Sequence, residues 1–530
     1  MFVELHNWWK LARKFPEYLV LAVSLILYLA VTLPAFFQPH FFLNLEPYPD
    51  GLFYVGQALQ LAKGEEIHLN YQGLSLPTVV PPGYSLVLAV GFLFSNWPGI
   101  FYLSNIALGC LSICFLWLIL RNHLKQWWVI AAGLLLYLSH AYILWLPAVP
   151  MAENLTILLT LVGVYVVTLK RVGLKELLLT IGVFAWLVIT KYAYILIAVM
   201  GCCLVLYRLI KEKNYLLVSV LLTAGVCAGS AGLVWLLSQG INPFLLFMPG
   251  SFGKASDSGI VYYSFEYIFT NTQLYLNSLL GFNGTPFLWL RNPLSSAGIL
   301  MLAVLGSVQS FSSSDSRKKW LGTCCAVLGL STLPLFLVFY TSDSRYLIHL
   351  VPISVVLGSL WLDSQSFMNK TRTALLVSLV LVLHMVTQLV LYKETLVANW
   401  LGRTQAWQQQ AVTEMNSYFS KESDGIVVTA LPPFMVKMYG TTQYRVLPLS
   451  LKQEFLNKEQ NIWDKDLPTH NLLEHYKSMV EAGQTLYITN AYITHNRDVV
   501  ADYELFKNTF KLELVHSGCH DACSIYRLEL

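Results

Sequence analysis

Apolar runs near 20 residues long recur from about residue 17 to about residue 392. Each is long enough for a helix to cross ~30 Å of hydrocarbon. In lipid the backbone must satisfy its own N–H and C=O groups, so such runs have to be helical. The spans read as 17–37, 99–120, 127–146, 151–169, 174–190, 192–209, 214–238, 293–311, 320–340, 345–362 and 373–392. Composition agrees: 56% of residues are hydrophobic and 12% charged, with mean hydropathy +0.56, against ~45–50% apolar in soluble chains. Residues 81–95 are apolar too, but short, and they open on Pro81 and Pro82. That segment is either a twelfth span or a helix that dips into the membrane.

The short loops set the orientation. Arg121/Lys125, Lys170/Arg171/Lys175, Arg208/Lys211/Lys213, Arg317/Lys318/Lys319 and Lys370/Arg372 fall in alternate loops, while the intervening ones hold chiefly Lys191, Lys254, Arg291 and Arg345. The positive-inside rule makes the first group cytoplasmic. Lys10, Arg13 and Lys14 precede the first run, and no small-x-small cleavage site follows it. It therefore reads as a retained span with its N-terminus inside. An odd number of crossings then precedes residue 393, so 81–95 should not complete one. The loop around Asp50 and the C-terminal tail share the outer side. A net charge of +4, spread through short loops, argues for topology and against a nucleic-acid partner.

Beyond residue 392 the composition becomes that of a soluble protein. Two domains are expected: 1–392 in the membrane, with outer loops 38–80 and 239–292, and 393–530 outside it. In the tail GIVVTAL, YRVLPL and QTLYITNAY read as strands, and PPFMVKMYG, NLLEHYKSMVEAG and ADYELFKNTF as helices. KLELVH and SIYRLEL read as a closing hairpin, giving a small α/β domain. Within loop 38–80, Leu52, Val55, Leu59 and Ala62 share a helical face suited to the membrane surface. The stretch around PGSFGKASDSG in loop 239–292 reads as flexible. Of nine cysteines, seven lie within spans as packing residues. Cys519 and Cys523 flank a turn in the tail and suit a local disulfide in an oxidising compartment.

The remaining ionisable residues gather at span ends on the outer side. Such groups cost about 2.5–3.5 kcal/mol each at membrane depth, so a cluster needs a reason. Glu46 and Asp50 follow the first span, where a carboxylate can take a proton from a hydroxyl nucleophile. The plainer reading of Asp50 is a helix cap. Glu153 opens a span after Pro147 and Pro150, or merely complements a helix dipole. Lys191 and Tyr192 break one apolar run into two, and a snorkelling lysine would do the same. Arg345 begins a span, with Tyr346 and His349 on the next turn; it could equally anchor the interface. Singly each plain reading is favoured, but together the residues favour a site.

This ordered set resembles the polyprenyl-phosphate-sugar-dependent membrane glycosyltransferases of the GT-C class, of the protein-mannosyltransferase and lipid A aminoarabinose-transferase type. Asp50, Tyr54, Ala58/Leu59 and Gly64 match the first-loop acid and the residues after it, and Pro81/Pro82 the double proline. Glu153 matches the later acid, Gly182 to Lys191 the run ending in a base, and Arg345, Tyr346 and Pro352 the Arg-Tyr pair before a proline. The likeness covers most of residues 15–360. Relatives often carry a second acid after the first, where this chain has Gly51, and an arginine where it has Lys191.

The resemblance implies a mostly α polytopic fold of about 11–13 transmembrane helices with a small C-terminal α/β extracytoplasmic domain. It also implies a bacterial inner-membrane protein whose active site faces the periplasm. A sugar would pass from a polyprenyl-phosphate donor to an acceptor hydroxyl of unnamed class, with inversion, Asp50 acting as base. Glu46, Tyr54, Glu153, Lys191, Tyr192, Arg345, Tyr346 and His349 would bind substrate. No residue set reads as metal ligands, and a divalent metal stays open as cofactor. The rivals are a transporter or flippase of lipid-linked sugars, which should show internal repeats and midplane charges, and a non-catalytic subunit of an envelope-polysaccharide complex.

Overall fold

A computed structural model describes residues 16–36, 50–64, 69–71, 74–76, 80–95, 100–140, 143–144, 146–148, 150–223, 225, 230, 264–280, 303–338, 344–364, 404–419, 425–431, 444–450, 471–491, 493, 497–518 and 523–530. For Asp50, Leu52, Phe53, Tyr192, Ser344 and Arg345 it describes the backbone alone. Glu46, the span 373–392 and the helix expected over 432–440 lie outside these residues.

The first elements are α1 (Pro16–Phe36), α2 (Asp50–Ala62), β1 (Leu69–Tyr71), β2 (Leu74–Leu76), α3 (Pro82–Phe92), α4 (Ile100–His123) and α5 (Trp127–Leu138). Then come α6 (Glu153–Val167), α7 (Leu174–Thr190), α8 (Ile195–Lys211), α9 (Tyr267–Leu280), α10 (Ser316–Leu330), α11 (Leu333–Leu337) and α12 (Leu350–Ser364). The tail holds α13 (Thr404–Phe419), β3 (Ile426–Thr429), β4 (Arg445–Pro448), α14 (Leu472–Glu481), β5 (Leu486–Thr489), α15 (Arg497–Thr509), β6 (Lys511–His516) and β7 (Ile525–Glu529). The chain is mostly helical, and contacts divide it into two compact units. One comprises Met1–Pro34, Asn105–Ala148 and Ala152–Thr395, the other Ala35–Ser104, Val149–Met151 and Leu396–Leu530.

In the first unit α1, α4 and the run Ser316–Leu337 are long and apolar enough to cross a membrane, and α5, α6 and α12 are shorter apolar helices. With the composition, this makes the chain an integral membrane protein. Small residues let these helices approach, as packing in lipid requires. Gly109 of α4 receives the Tyr28 ring of α1, and Gly133 of α5 receives Ser359 of α12. Phe184 of α7 fills the space left by Gly163 of α6 and Gly201 of α8, which locks three consecutive helices together.

Among the described residues the basic loops converge at one end of this unit, as alternate-loop counting expects; Lys370 and Arg372 lie outside them. Lys318 reaches Asp363 at 2.6 Å, and the other oxygen of Asp363 accepts from the backbone N–H groups of Lys125 and Gln126 at 3.2 and 3.3 Å. Trp117 donates to the Glu17 carbonyl at 2.9 Å, and the Arg121 guanidinium lies over the rings of Tyr18 and Trp117. The start of α1 and the end of α4 are therefore level.

The stretch around PGSFGKASDSG lies outside the described residues, while further along loop 239–292 the chain forms helix α9. Asn271 and Tyr275, one turn apart, are buried. Asn271 donates to the carbonyls of Phe336 and Leu337 at 3.2 and 2.9 Å, and Ser264 N–H to that of Val338 at 2.8 Å. The four-residue spacing of Asn271 and Tyr275 puts both on one face of the helix.

In the second unit α2 packs on α3. Its buried face is Tyr54, Val55 and Ala58, with Gln57 also fully enclosed, so this face packs within the unit. Eleven residues give α3 about 16 Å of rise, too little to cross ~30 Å. The tail forms a five-stranded sheet of order β4-β3-β5-β7-β6. The parallel strands β4, β3 and β5 are buried on both faces, and β6–β7 is the expected antiparallel hairpin. Edge strand β6 is largely exposed and carries Lys511 and Glu513, which discourage pairing with another chain. Cys523 is disulfide-bonded, while Cys519 lies outside the described residues.

Candidate functional site

Helices α6 and α7 form a hairpin, so the first residue of α6 must meet the end of α7. A rise of 1.5 Å per residue takes α6 about 21 Å out from Glu153 and α7 about 24 Å back. Lys191, the C-cap of α7, accordingly reaches Glu153 with Nζ 2.8 Å from Oε1. The carboxylate sits on the positive N-terminal end of α6 and the ammonium on the negative C-terminal end of α7, so both dipoles favour the pair. The Glu153 side chain is 1% exposed and that of Lys191 15%. The cation therefore reaches the margin of the buried cluster while its partner stays inside.

Lys191 Nζ also lies 4.7 Å from the centroid of the Tyr346 ring, a distance at which the ring face attracts a cation. Tyr346 is stacked on Phe336 (5.2 Å, 20°) of α11, the helix on which α9 docks. Behind it, fully buried Tyr194 has its hydroxyl 3.1 Å from the Tyr346 carbonyl oxygen and 3.2 Å from Nδ1 of His349. Nε2 of His349 lies 3.2 Å from both the Thr332 hydroxyl and the Gly329 carbonyl oxygen. A neutral imidazole either accepts the Tyr194 O–H at Nδ1 and donates Nε2–H to the Gly329 carbonyl, or donates Nδ1–H to the Tyr194 oxygen and accepts the Thr332 O–H at Nε2. His349 thus orients Tyr194 and, through it, the turn Ser344–Leu347 that carries Arg345 and Tyr346.

Glu153, Lys191, Tyr346 and His349 are therefore gathered into one cluster, with the backbones of Tyr192 and Arg345 in the turns that bound it. Tyr194 and Thr332 were not apparent from sequence. Tyr194 had a signal, a second tyrosine just after the break at Lys191; Thr332 had none.

The first-loop residues belong to the other unit. Asp50 is the first residue of α2, and Tyr54, one turn on, is 4% exposed and edge-on to Tyr84 at 5.2 Å. The Ser85 hydroxyl donates to the Tyr54 carbonyl at 3.0 Å, which fixes the start of α2 against α3. Gly51 is buried against Pro150: a Cβ there would stand 2.8 Å from Pro150 Cγ. A second carboxylate beside Asp50 would not fit without moving that proline, and no three His, Cys, Asp or Glu residues gather among the described residues. An acid pair able to hold a metal at positions 50–51 does not match this donor set.

No protein-family profile and no curated protein matches the chain. Solved structures do. The crystal structure of ArnT from Cupriavidus metallidurans bound to undecaprenyl phosphate superposes with a TM-score of 0.61 at 12% identity, over 96% of this chain and 97% of that one. Its apo state gives 0.58 at 12% identity, over 95% and 97%. The chain has an ArnT-like fold, with a small C-terminal sheet region as the GT-C resemblance implies.

Proposed function

We propose that the chain transfers a sugar from a polyprenyl-phosphate donor to an acceptor hydroxyl on the extracytoplasmic face. The observation that carries this reading is the ArnT-like fold along nearly the whole of both chains, one of whose structures holds undecaprenyl phosphate. The buried Glu153–Lys191 pair supports it, because it holds a cation at the margin of a buried cluster, and a leaving phosphate needs a fixed cation.

The chemistry follows from the residues. Asp50 accepts the proton of the acceptor hydroxyl, whose oxygen attacks the anomeric carbon. The bond from that carbon to the phosphate oxygen breaks, its electron pair staying with the phosphate, and polyprenyl phosphate departs with inversion at carbon. Charge grows on the phosphate in the transition state, so fixed cations there lower the barrier. Lys191 has three N–H groups; Glu153 takes one and holds the head in place, leaving others for phosphate oxygens. Arg345 adds a planar fork. Glu153 sets the position of Lys191, and His349 sets that of Tyr346. Glu46, Tyr54 and Tyr192 are assigned to binding the sugar and acceptor, and loop 239–292 to gating entry. Residues 393–530 serve acceptor recognition. No step needs a divalent metal, and sugar and acceptor stay unnamed.

Undecaprenyl phosphate titrated onto the purified chain in neutral detergent tests this reading. Native mass spectrometry should show one lipid retained, and retention should fall tenfold or more in Lys191→Met, by about the 1.5–3 kcal/mol of a charge-assisted hydrogen bond. No retention by the wild-type chain would overturn the proposal.

A further inference from the structure

At the far end of α6, about 21 Å of helix from Glu153, the first unit lines an open hollow of about 1500 Å³. Four helix ends surround it. Arg121 comes from α4, Lys170 and Arg171 from the turn after α6, Arg208 and Lys211 from α8, and Arg317 and Lys319 from α10. Among the described lining residues Glu212 is the one acid, held by Arg208 Nε at 2.9 Å; Glu17 lies 3.9 Å from Arg121, and Asp315 accepts from the Arg317 backbone N–H.

Helix dipoles do not account for such an excess. Three C-termini and one N-terminus bring about one negative charge in all, against seven cations. The positive-inside rule explains why cations lie on this side, but not why they line a common concavity. The wall is fixed: the indole N–H of Trp320 and Nη1 of Arg208 both donate to the Val167 carbonyl, at 3.0 and 3.1 Å. Trp320 also stacks on Tyr207 at 6.0 Å and 23°.

The apolar surface next to the hollow says what kind of anion suits it. Val199, Cys203, Tyr207 and Ile210 of α8 follow one another at three- and four-residue spacing, and all are exposed. They form a stripe along the helix that meets the hollow at the half-exposed Tyr207, of the residue type that marks a membrane interface. A soluble phosphate would use the cations and ignore the stripe. A phospholipid uses both.

We infer that this hollow binds the phosphodiester headgroup of an anionic glycerophospholipid, with an acyl chain along the exposed stripe of α8. Basic pockets between helix ends hold such headgroups. The site is separate from the proposed donor site and does not depend on that reading.

The test uses the purified full-length chain in neutral detergent, with phosphatidylglycerol, phosphatidylcholine or inorganic phosphate added. Retained lipid is counted by native mass spectrometry and stability followed by thermal unfolding. Phosphatidylglycerol should be retained and raise Tm. The variant Lys170→Gln/Arg171→Gln/Lys211→Gln/Lys319→Gln should retain it about tenfold less or worse. A control replacing Lys477, Lys507, Lys511 and Arg527 of the tail by Gln should match the wild type. If the fourfold variant does not fold, the pairs Lys170→Gln/Arg171→Gln and Lys211→Gln/Lys319→Gln are each expected to show part of the loss. Undecaprenyl phosphate retention should not change in these variants, and a parallel fall would contradict a second site. Equal retention of phosphatidylcholine, an equal Tm shift with inorganic phosphate, or no loss in the variants would overturn the inference.

Discussion

At the scale of single residues, structural and functional roles of Glu153 and Lys191 can be separated. Lys191→Met leaves a buried carboxylate without its cation, which should destabilise the chain by about 3–5 kcal/mol. Adding Glu153→Gln removes the orphaned charge and should restore most of that loss, since neutral replacements of buried pairs are often tolerated. Unfolding midpoints in detergent measure this recovery, while undecaprenyl phosphate retention should stay low in the double variant. Recovery of both would make the pair purely structural. A second prediction concerns Asp315, which caps α10 by accepting from Arg317 N–H at 3.0 Å. That backbone N–H holds its carboxyl below the usual aspartate range. A depressed folded value means the cap contributes above the unfolded pKa of about 4, and its contribution is lost as pH falls through the folded value. Asp315→Ala should therefore lower stability by about 1 kcal/mol at pH 7 and by progressively less below pH 4. An effect that persists unchanged at pH 3 would contradict this.

At the scale of elements, the α6–α7–α8 packing places the site, and it depends on glycine. Gly201→Leu would drive a side chain into Phe184. Overpacking of this kind costs about 1–3 kcal/mol, and here it would also shift the end of α7 that carries Lys191. Lower Tm together with weaker undecaprenyl phosphate retention is the expected outcome; a change in Tm alone would mean that the helix junction does not position the pair. Helix α8 ends in a Schellman turn, with Asn214 N–H on Leu209 O at 2.9 Å and Lys213 N–H on Ile210 O at 3.0 Å. Lys213 takes φ +54° there, where α14 ends on Gly483 at φ +82°. Side chains pay roughly 1 kcal/mol for that conformation, so Lys213→Gly should raise stability by a similar amount or somewhat less, read as a higher thermal midpoint. A lower midpoint would show that the lysine charge matters more than its backbone. Element boundaries were legible wherever hydrophobic period and chain length decided them, as in α7 and the β6–β7 hairpin. They were not where packing decided, as with α9, whose buried Asn271 and Tyr275 give no strong periodic signal in the sequence.

At the scale of the whole molecule, charge distribution was the most readable property. Counting basic residues in alternate loops anticipates that Lys125, Lys170, Arg208, Arg317 and Lys318 meet at one end. It does not reveal Asp363, which ties two of those loops together, because a lone acid at a span end looks like any solvated carboxylate. The Glu153–Lys191 pairing was half visible: both residues stood out, but only the antiparallel hairpin brings positions 38 residues apart to 2.8 Å. The His349–Tyr194 contact spans 155 residues and brings together the turns that precede α8 and α12, which no local pattern encodes. The resulting account has an acid on α2 and cations at the ends of α7 and α12 serving a single reaction. Its most direct test is the rate at which undecaprenyl phosphate is released from sugar-loaded undecaprenyl phosphate by the purified wild-type chain and by Asp50→Asn. The account predicts turnover by the wild type with at least one donor and a fall of about 10²–10⁴-fold in Asp50→Asn, with retention of undecaprenyl phosphate unchanged. Full activity in Asp50→Asn would contradict it.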